Sequence, residues 1–315
     1  MRISNVLINK VQNTSFKRAE KKDRNTIPPH NGSIGLENTR SFPQNIFAQI
    51  LTPKTTRVEI SKENFTSIIE KLIEEDKNSE TPIIKSVKPQ FISQFTQRIQ
   101  QNPNKNIIIG LSGESASGKS TICDTIREVA EKYSMPIEII SADNYFKDIS
   151  HLIKKYGSFD GVIESGYDVD SPDNFYIEQL HDDLENLANG NDVNIPQYLV
   201  NGTGISVPNA IPKKAQKVIV VEGLATLYSP VRDILDAEIF VDIDAKTQEE
   251  RYIERAKATR NQTEEDALNQ LKYVRLAAEK YIYPKKDNVD ITIDGAIDKE
   301  NYSKLLGRLF NSLKK

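Results

Sequence analysis

Gly113-Glu-Ser-Ala-Ser-Gly-Lys-Ser120 is the stretch that decides the fold. Ile107-Ile-Ile-Gly-Leu111 precedes it and Thr121-Ile-Cys-Asp-Thr-Ile-Arg127 follows. The eight residues satisfy G-x-x-x-x-G-K-[ST], the phosphate-cradling P-loop. Their surroundings are what the motif needs: a β-branched apolar run that reads as a buried strand, a glycine-rich turn, and an immediate helical pattern. Glycines let the backbone wrap closely around phosphate oxygens, and the first amides of the helix point unpaired at an anion. Gly113, Glu114, Ser115, Ala116, Ser117, Gly118, Lys119, Ser120 and Thr121 are therefore the expected nucleotide contacts. Lys119 is expected on the β- and γ-phosphates and Ser120 on Mg²⁺.

Further along, Ile137-Glu-Ile-Ile-Ser-Ala142 reads as a second strand, ending at Asp143. Open parallel sheets bind ligands at the carboxyl ends of their strands, so a carboxylate there is well placed for catalysis, although Asp is also a common loop starter. Lys217-Val-Ile-Val-Val-Glu-Gly223 is a buried strand that ends in Glu222, the position where such proteins hold Mg²⁺ directly or through water. Ala237-Glu-Ile-Phe-Val-Asp-Ile243 and Val289-Asp-Ile-Thr-Ile293 are further strands. Ser171, Pro172 and Asp173 start a helix whose apolar stripe is Ile177, Leu180, Leu184 and Leu187, with Gly190 as its stop. Prolines 196, 208 and 212 with Gly202-Thr-Gly204 make residues 193–213 a short hairpin excursion. Residues 246–283 are helical in pattern and carry Arg251, Arg255 and Arg260, followed by Glu264-Glu-Asp266. They read either as an exposed charged helix or as an arginine-bearing lid over a transferring phosphoryl group. Tyr302, Leu305, Leu306, Leu309, Phe310 and Leu313 form one face of a closing helix.

The remaining sequence sets bounds. A formal net charge of −3 gives no bulk attraction to nucleic acid or membrane. The single cysteine, Cys123, allows no intramolecular disulfide and fits a reducing compartment. No apolar run is long enough to span a bilayer and no secretory apolar region opens the chain, so a soluble cytoplasmic protein is expected. Histidines and cysteine nowhere fall at metal-ligand spacing. Residues 1–55 are polar enough for a disordered tail. Residues 56–105 offer two helices, one capped by Ser61 with Phe65, Ile68, Ile69, Leu72 and Ile73 on a face, the other carrying Phe91, Ile92, Phe95 and Ile99 up to Asn102-Pro103. The fold expected is α/β: a three-layer P-loop NTPase with a mainly parallel sheet over 106–315, a hairpin excursion and a helical lid, preceded by this helical extension.

The order of motifs resembles the uridine kinase and phosphoribulokinase family of P-loop kinases, uridine–cytidine kinases most of all. Asp143-Asn-Tyr-Phe-Lys-Asp148 is similar to its D-[NS]-[FY]-[YF]-[KR] segment, and Tyr167-Asp-Val-Asp-Ser-Pro-Asp-Asn-Phe175 to its N-F-D-H-P-D-A-F segment. Gly190 through Pro196-Gln-Tyr198, Val220-Val-Glu-Gly223, Phe240-Val-Asp-Ile-Asp244 and Pro284-Lys-Lys-Asp-Asn-Val-Asp-Ile291 follow in the family's order. The resemblance implies transfer of the γ-phosphoryl group of ATP or GTP, with Mg²⁺, to the 5′-hydroxyl of a pyrimidine nucleoside. Asp143 would be the base, Ser120 and Glu222 would serve the metal, and Lys119, Arg255 and Arg260 would act on the phosphates. Asp170 would hold the ribose hydroxyls, with Tyr145, Tyr198 and Arg251 also on the substrates.

Three departures bear on the acceptor. The histidine and arginine that usually follow the family's tyrosine are absent from Tyr198-Leu-Val-Asn-Gly-Thr-Gly-Ile205. The lid's R-D-x-x-x-R-G-R is here Arg255-Ala-Lys-Ala-Thr-Arg-Asn-Gln262, and Leu276 stands where the family tends to have proline. Uridine or cytidine leads. Another small alcohol, such as a phosphopentose or a pantothenate-like molecule, and a nucleotide-binding regulator with residual catalysis stay open, as does homo-oligomerisation.

Overall fold

The computed structural model describes residues 62–199, 202–260 and 262–314. The tail expected over 1–55, the capping Ser61 and Asn201 lie outside them. In chain order the elements are α1 (Lys62–Lys77), β1 (Ile84–Val87), α2 (Phe91–Gln101), β2 (Ile107–Gly113), α3 (Lys119–Tyr133) and β3 (Ile137–Ser141). Then follow α4 (Ser150–Tyr156), α5 (Phe159–Glu164), α6 (Ile177–Ala188), β4 (Val193–Tyr198), β5 (Ser206–Lys213), β6 (Val218–Glu222) and β7 (Ala237–Asp242). The chain closes with α7 (Ala245–Arg260), α8 (Glu264–Tyr281), α9 (Tyr283–Lys286), β8 (Ile291–Asp294) and α10 (Lys299–Leu313).

Six strands form one sheet in the order β1-β8-β7-β2-β6-β3, parallel except for β1, which runs antiparallel to β8 at the edge. The fold is the three-layer α/β architecture that the sequence leads one to expect. Because side chains alternate across a strand, the apolar runs feed two cores. Ile107, Leu111, Val218 and Val220 face α1, α2, α3 and α10, while Ile108, Ile219 and Val221 face α6 and the end of α8. The first layer leaves an apolar cavity of about 180 Å³, lined by side chains from α1, α3, α10 and the sheet, among them Phe65, Ile126, Val220 and Leu306. β4 and β5 pair antiparallel as the expected hairpin, outside the main sheet.

Two helical spans are corrected. Ser171 does accept the Asp173 amide, but the helix it starts is a single 3₁₀ turn, Pro172–Asn174. The chain then extends to bury Phe175 against Phe146, with ring centroids 4.1 Å apart, before α6 begins at Ile177. Tertiary packing of one aromatic outweighs a cap whose bond is long, at 3.4 Å. The pattern over 246–283 is likewise three helices. α7 ends at Arg260, and Thr263 opens α8 with a reciprocal capping box in which its hydroxyl and the Asp266 carboxylate each satisfy the other residue's amide. β1, α4 and α5 are short elements, four, seven and six residues long, that carry no clear periodicity in the sequence.

Candidate active site

The carboxyl ends of three parallel strands, β2, β6 and β3, lie side by side. β2 runs directly into the P-loop, with Leu111 in register with Glu222 on β6, and Ser141 on β3 in register with the same Glu222. Gly113 has φ 148°, and a Cβ there would stand 2.6 Å from the Val241 carbonyl, so only glycine allows the turn. Gly118, in the left-handed region at φ 103°, caps α3. Lys119 is buried and folds back over the loop, its ammonium donating to the carbonyls of Gly113 and Glu114 at 2.8 Å each. Ser120 is half-buried and Thr121 exposed. Ser117 is fully buried, and its hydroxyl has no hydrogen-bond partner among the described residues.

The carboxylates lie beside this cradle. Glu222 is buried at the end of β6, and its Oε1 accepts the Ser141 hydroxyl at 2.7 Å. Asp143, half-buried in the 3₁₀ turn Ala142–Tyr145, follows β3 directly. A Cβ on Gly223 would stand 3.3 Å from Asp143 Oδ1, so the Asp143 carboxylate lies against the residue next to Glu222. The donor set of hydroxyl and carboxylate oxygens is what Mg²⁺ takes, with waters and substrate phosphates supplying the rest. Among the described residues no three or more His, Cys, Asp or Glu side chains cluster as a metal cage. Ser120 and Glu222 thus fit a phosphate-bound Mg²⁺ rather than a self-sufficient protein site.

α7 brings Arg251 and Arg255 to the P-loop and the turn beside it. Arg255 Nη2 donates to Ser115 Oγ at 2.9 Å, and Arg251 Nη1 donates to the Gly295 carbonyl at 2.7 Å. Arg260 turns instead to α8, where its Nη1 meets Gln270 Oε1 at 2.7 Å, and Gln270 Nε2 reaches Asp160 on α5 at 2.7 Å. Both guanidinium groups of Arg255 and Arg260 lie over the ring of buried Tyr252, at 5.3 and 5.1 Å from its centroid. Glu114 is buried and accepts from Gln248 Nε2 at 2.7 Å, while Arg275 Nε donates to Gln248 Oε1 at 3.2 Å. Gln248, Gln270 and Gly295 escaped the sequence reading because single amides and a lone glycine carry no spacing signal.

Asp170 is half-buried, and its backbone carbonyl accepts the Tyr228 hydroxyl at 2.8 Å. Tyr198 packs its ring 5.5 Å from that of Phe146, and burial, then the nearby Asp148 and Tyr167, push its phenol up to about 12. Asp148 accepts the Ser150 amide and hydroxyl and the Ser206 amide, tying α4 to the hairpin. Tyr145 is placed differently from the sequence expectation of a substrate contact. It is fully buried, and its hydroxyl donates to Asp183 Oδ2 on α6 at 2.8 Å. An aromatic two residues past a strand-end carboxylate is here drawn into the core beneath it.

A P-loop with a lysine, a strand-end carboxylate pair and an arginine-bearing helix defines a nucleotide-binding phosphotransferase. Residues 108–300 match the phosphoribulokinase / uridine kinase family, and the chain belongs to that family; it is a kinase of this type. Uridine kinase of Staphylococcus epidermidis is 35% identical over 192 residues, 60% of this chain and 88% of the relative. Uridine kinase-like protein 5 of Arabidopsis thaliana is 32% identical over 206 residues, 64% of this chain but 42% of that longer protein. Among solved structures, phosphoribulokinase from Rhodobacter spheroides aligns over 63% of this chain and 74% of its own, at 17% identity and a TM-score of 0.46. Among the described residues no helix is long and apolar enough to cross a membrane.

Proposed function

We propose that this chain transfers the γ-phosphoryl group of ATP, or GTP, to the 5′-hydroxyl of uridine or cytidine. The observation that carries the reading is the convergence of Lys119, Asp143 and Glu222 at the ends of β2, β3 and β6. Phosphoryl transfer asks for positioning and charge neutralisation more than covalent chemistry; Lys119 supplies the positive charge, and Asp143 and Glu222 supply placement of the hydroxyl and the metal. Lys119 exchanges two backbone carbonyls for phosphate oxygens, so its ammonium is held ready at the cradle before nucleotide arrives. Asp143 accepts the proton of the attacking hydroxyl. Arg255, already on the P-loop hydroxyl of Ser115, screens the negative charge, and Arg260 joins it only by leaving Gln270. Mg²⁺ held by Ser120 and Glu222 would neutralise the phosphate oxygens. Asp170 hydrogen-bonds the ribose hydroxyls, and Tyr198 borders the base.

One observation supports a second reading, in which the acceptor is another small alcohol. At the hairpin tip Gly204 is buried, its carbonyl accepting the Ile149 amide at 2.9 Å, and a Cβ there would meet Ile149 and Ile153 side chains at under 3 Å. The tip therefore docks on α4 through a glycine, where the family usually offers polar groups to a base. ADP release, followed against uridine, cytidine, other nucleosides, ribulose 5-phosphate and pantothenate, tests the choice. Turnover with uridine or cytidine at a kcat/KM at least tenfold above the other acceptors is expected. Preference for a non-nucleoside alcohol would move the acceptor and leave the donor chemistry in place.

A further inference from the structure

The residues that precede the family's matched span are not idle packing. β1 lies outside residues 108–300, yet it completes the sheet edge next to β8. The chain leaves β8 through Asp294, Gly295 and Ala296, and this turn lies against the P-loop. A Cβ on Gly295 would stand 2.0 Å from the Ser117 carbonyl, and one on Gly118 would stand 3.2 Å from the Gly295 carbonyl. The same Gly295 carbonyl receives Arg251 of α7. The position of the turn thus sets both the back of the phosphate cradle and the anchor of one lid arginine.

The extension reaches that turn at Asp294, through Ile83 and Lys85, and reaches the neighbouring strand end at Asp242. The Asp294 amide donates to the Ile83 carbonyl at 2.8 Å. Ile83 and Ile84 are themselves pinned by Asp76 of α1, whose Oδ2 accepts both amides at 2.9 and 2.7 Å. Lys85 then reaches across the strand ends, its ammonium 3.2 Å from Asp242 Oδ2 and 3.5 Å from Asp294 Oδ1. Asp242 also accepts Lys286 at 2.5 Å, and its backbone carbonyl accepts the Gly295 amide at 2.7 Å. Two carboxylates at the ends of neighbouring parallel strands would repel each other, and Lys85 is the cation shared between them. Burial alone would push the Asp242 carboxyl up, but the hydrogen bonds from Lys286 and Lys85 hold it below the usual range.

We propose that Lys85 is a positioning residue for nucleotide binding: from the N-terminal extension it clamps Asp242 and Asp294 and so holds the Asp294–Ala296 turn against the P-loop. The proposal rests on the donor-site reading above and is independent of which alcohol is phosphorylated. A purely structural lysine would contribute stability only, so the test compares it with a second link of the same extension. Arg98 of α2 donates to the Asp236 carbonyl at 2.7 Å and pairs with Asp290 at 3.3 Å, at the opposite ends of β7 and β8, away from the P-loop.

Calorimetric titration of the full chain with MgATP, without acceptor, reads the difference. Lys85→Ala and Lys85→Gln should each raise the Kd about three- to tenfold, Lys85→Arg should stay within twofold of wild type, and Arg98→Ala should leave Kd within twofold although it lowers Tm. A Lys85→Ala Kd within twofold of wild type, or an equal rise in Arg98→Ala, would overturn the proposal. Lys119→Ala serves as the reference for the donor site. Unaltered ATP affinity in that variant would remove the donor-site reading and the Lys85 proposal with it, whereas inactivity toward uridine would touch neither.

Discussion

Tyr145→Phe separates a core tyrosine from a substrate-binding one. The substitution keeps the ring in its fully buried place and removes only the hydroxyl that donates to Asp183 at 2.8 Å. Hydrogen bonds to a charged group contribute about 1.5–3 kcal/mol. Asp183 is half-buried, so water can replace part of the lost bond, and a loss of about 1–2 kcal/mol is expected at pH 7. For a domain of this size that lowers Tm by about 2–8 °C. The pH dependence has a definite sign. Burial raises the Asp183 carboxyl, the Tyr145 hydrogen bond works against that rise, and Asp182 adds to it. A carboxyl raised in the folded state gains stability as pH falls through its folded value, and removing Tyr145's bond raises it further. The deficit of the variant should therefore shrink from neutral pH toward the ordinary carboxylate range, because protonated Asp183 no longer needs the donor. Scanning calorimetry at pH 7 and pH 4.5 measures this, while initial rates give kcat/KM for the nucleoside, expected within threefold of wild type. An unchanged Tm with a loss of more than about thirtyfold in kcat/KM would refute the reasoning and put the hydroxyl on substrate.

Two further perturbations probe the frame around the site. Gly295→Ala would set a methyl 2.0 Å from the Ser117 carbonyl, so nucleotide affinity, read by MgATP titration, should fall at least tenfold; wild-type affinity would mean that the turn does not brace the cradle. Val220→Ile adds one methylene toward the apolar cavity of about 180 Å³, which should contribute about 0.8 kcal/mol and raise Tm by about 2 °C. A fall in Tm on calorimetry would show that the added atom meets a wall instead.

What the sequence made legible is what local chemistry alone determines. A β-branched run, the glycine spacing and Lys119 can form only one kind of turn, so β2, the cradle and α3 follow from residue types and their order. Glu222 was legible because the strand that carries it is buried on every residue and ends there. The break after Asn174 was not, because Ser171 and Pro172 are good helix openers and only the distant Phe146 explains why Phe175 leaves the helix. β1 is four residues long with half-buried ends, too short for alternation to register, and its reason for being a strand is the open edge of β8. The division of the lid did have a local sign in Thr263 and Asp266, a capping box read as part of an acidic run. Tyr145 illustrates a different limit: its place two residues after the strand-end Asp143 says nothing about which side of the turn its ring enters, and the ring turns into the core.

The central claim is that Asp143 accepts the proton of an acceptor hydroxyl beside a nucleotide held by the P-loop. Rates of phosphoryl transfer from γ-labelled ATP to uridine, measured for wild type and Asp143→Asn alongside their ATP affinities, test it most directly. The account predicts a fall in kcat of about 10²–10⁴ with ATP Kd within twofold. A variant that keeps near-normal kcat would contradict it.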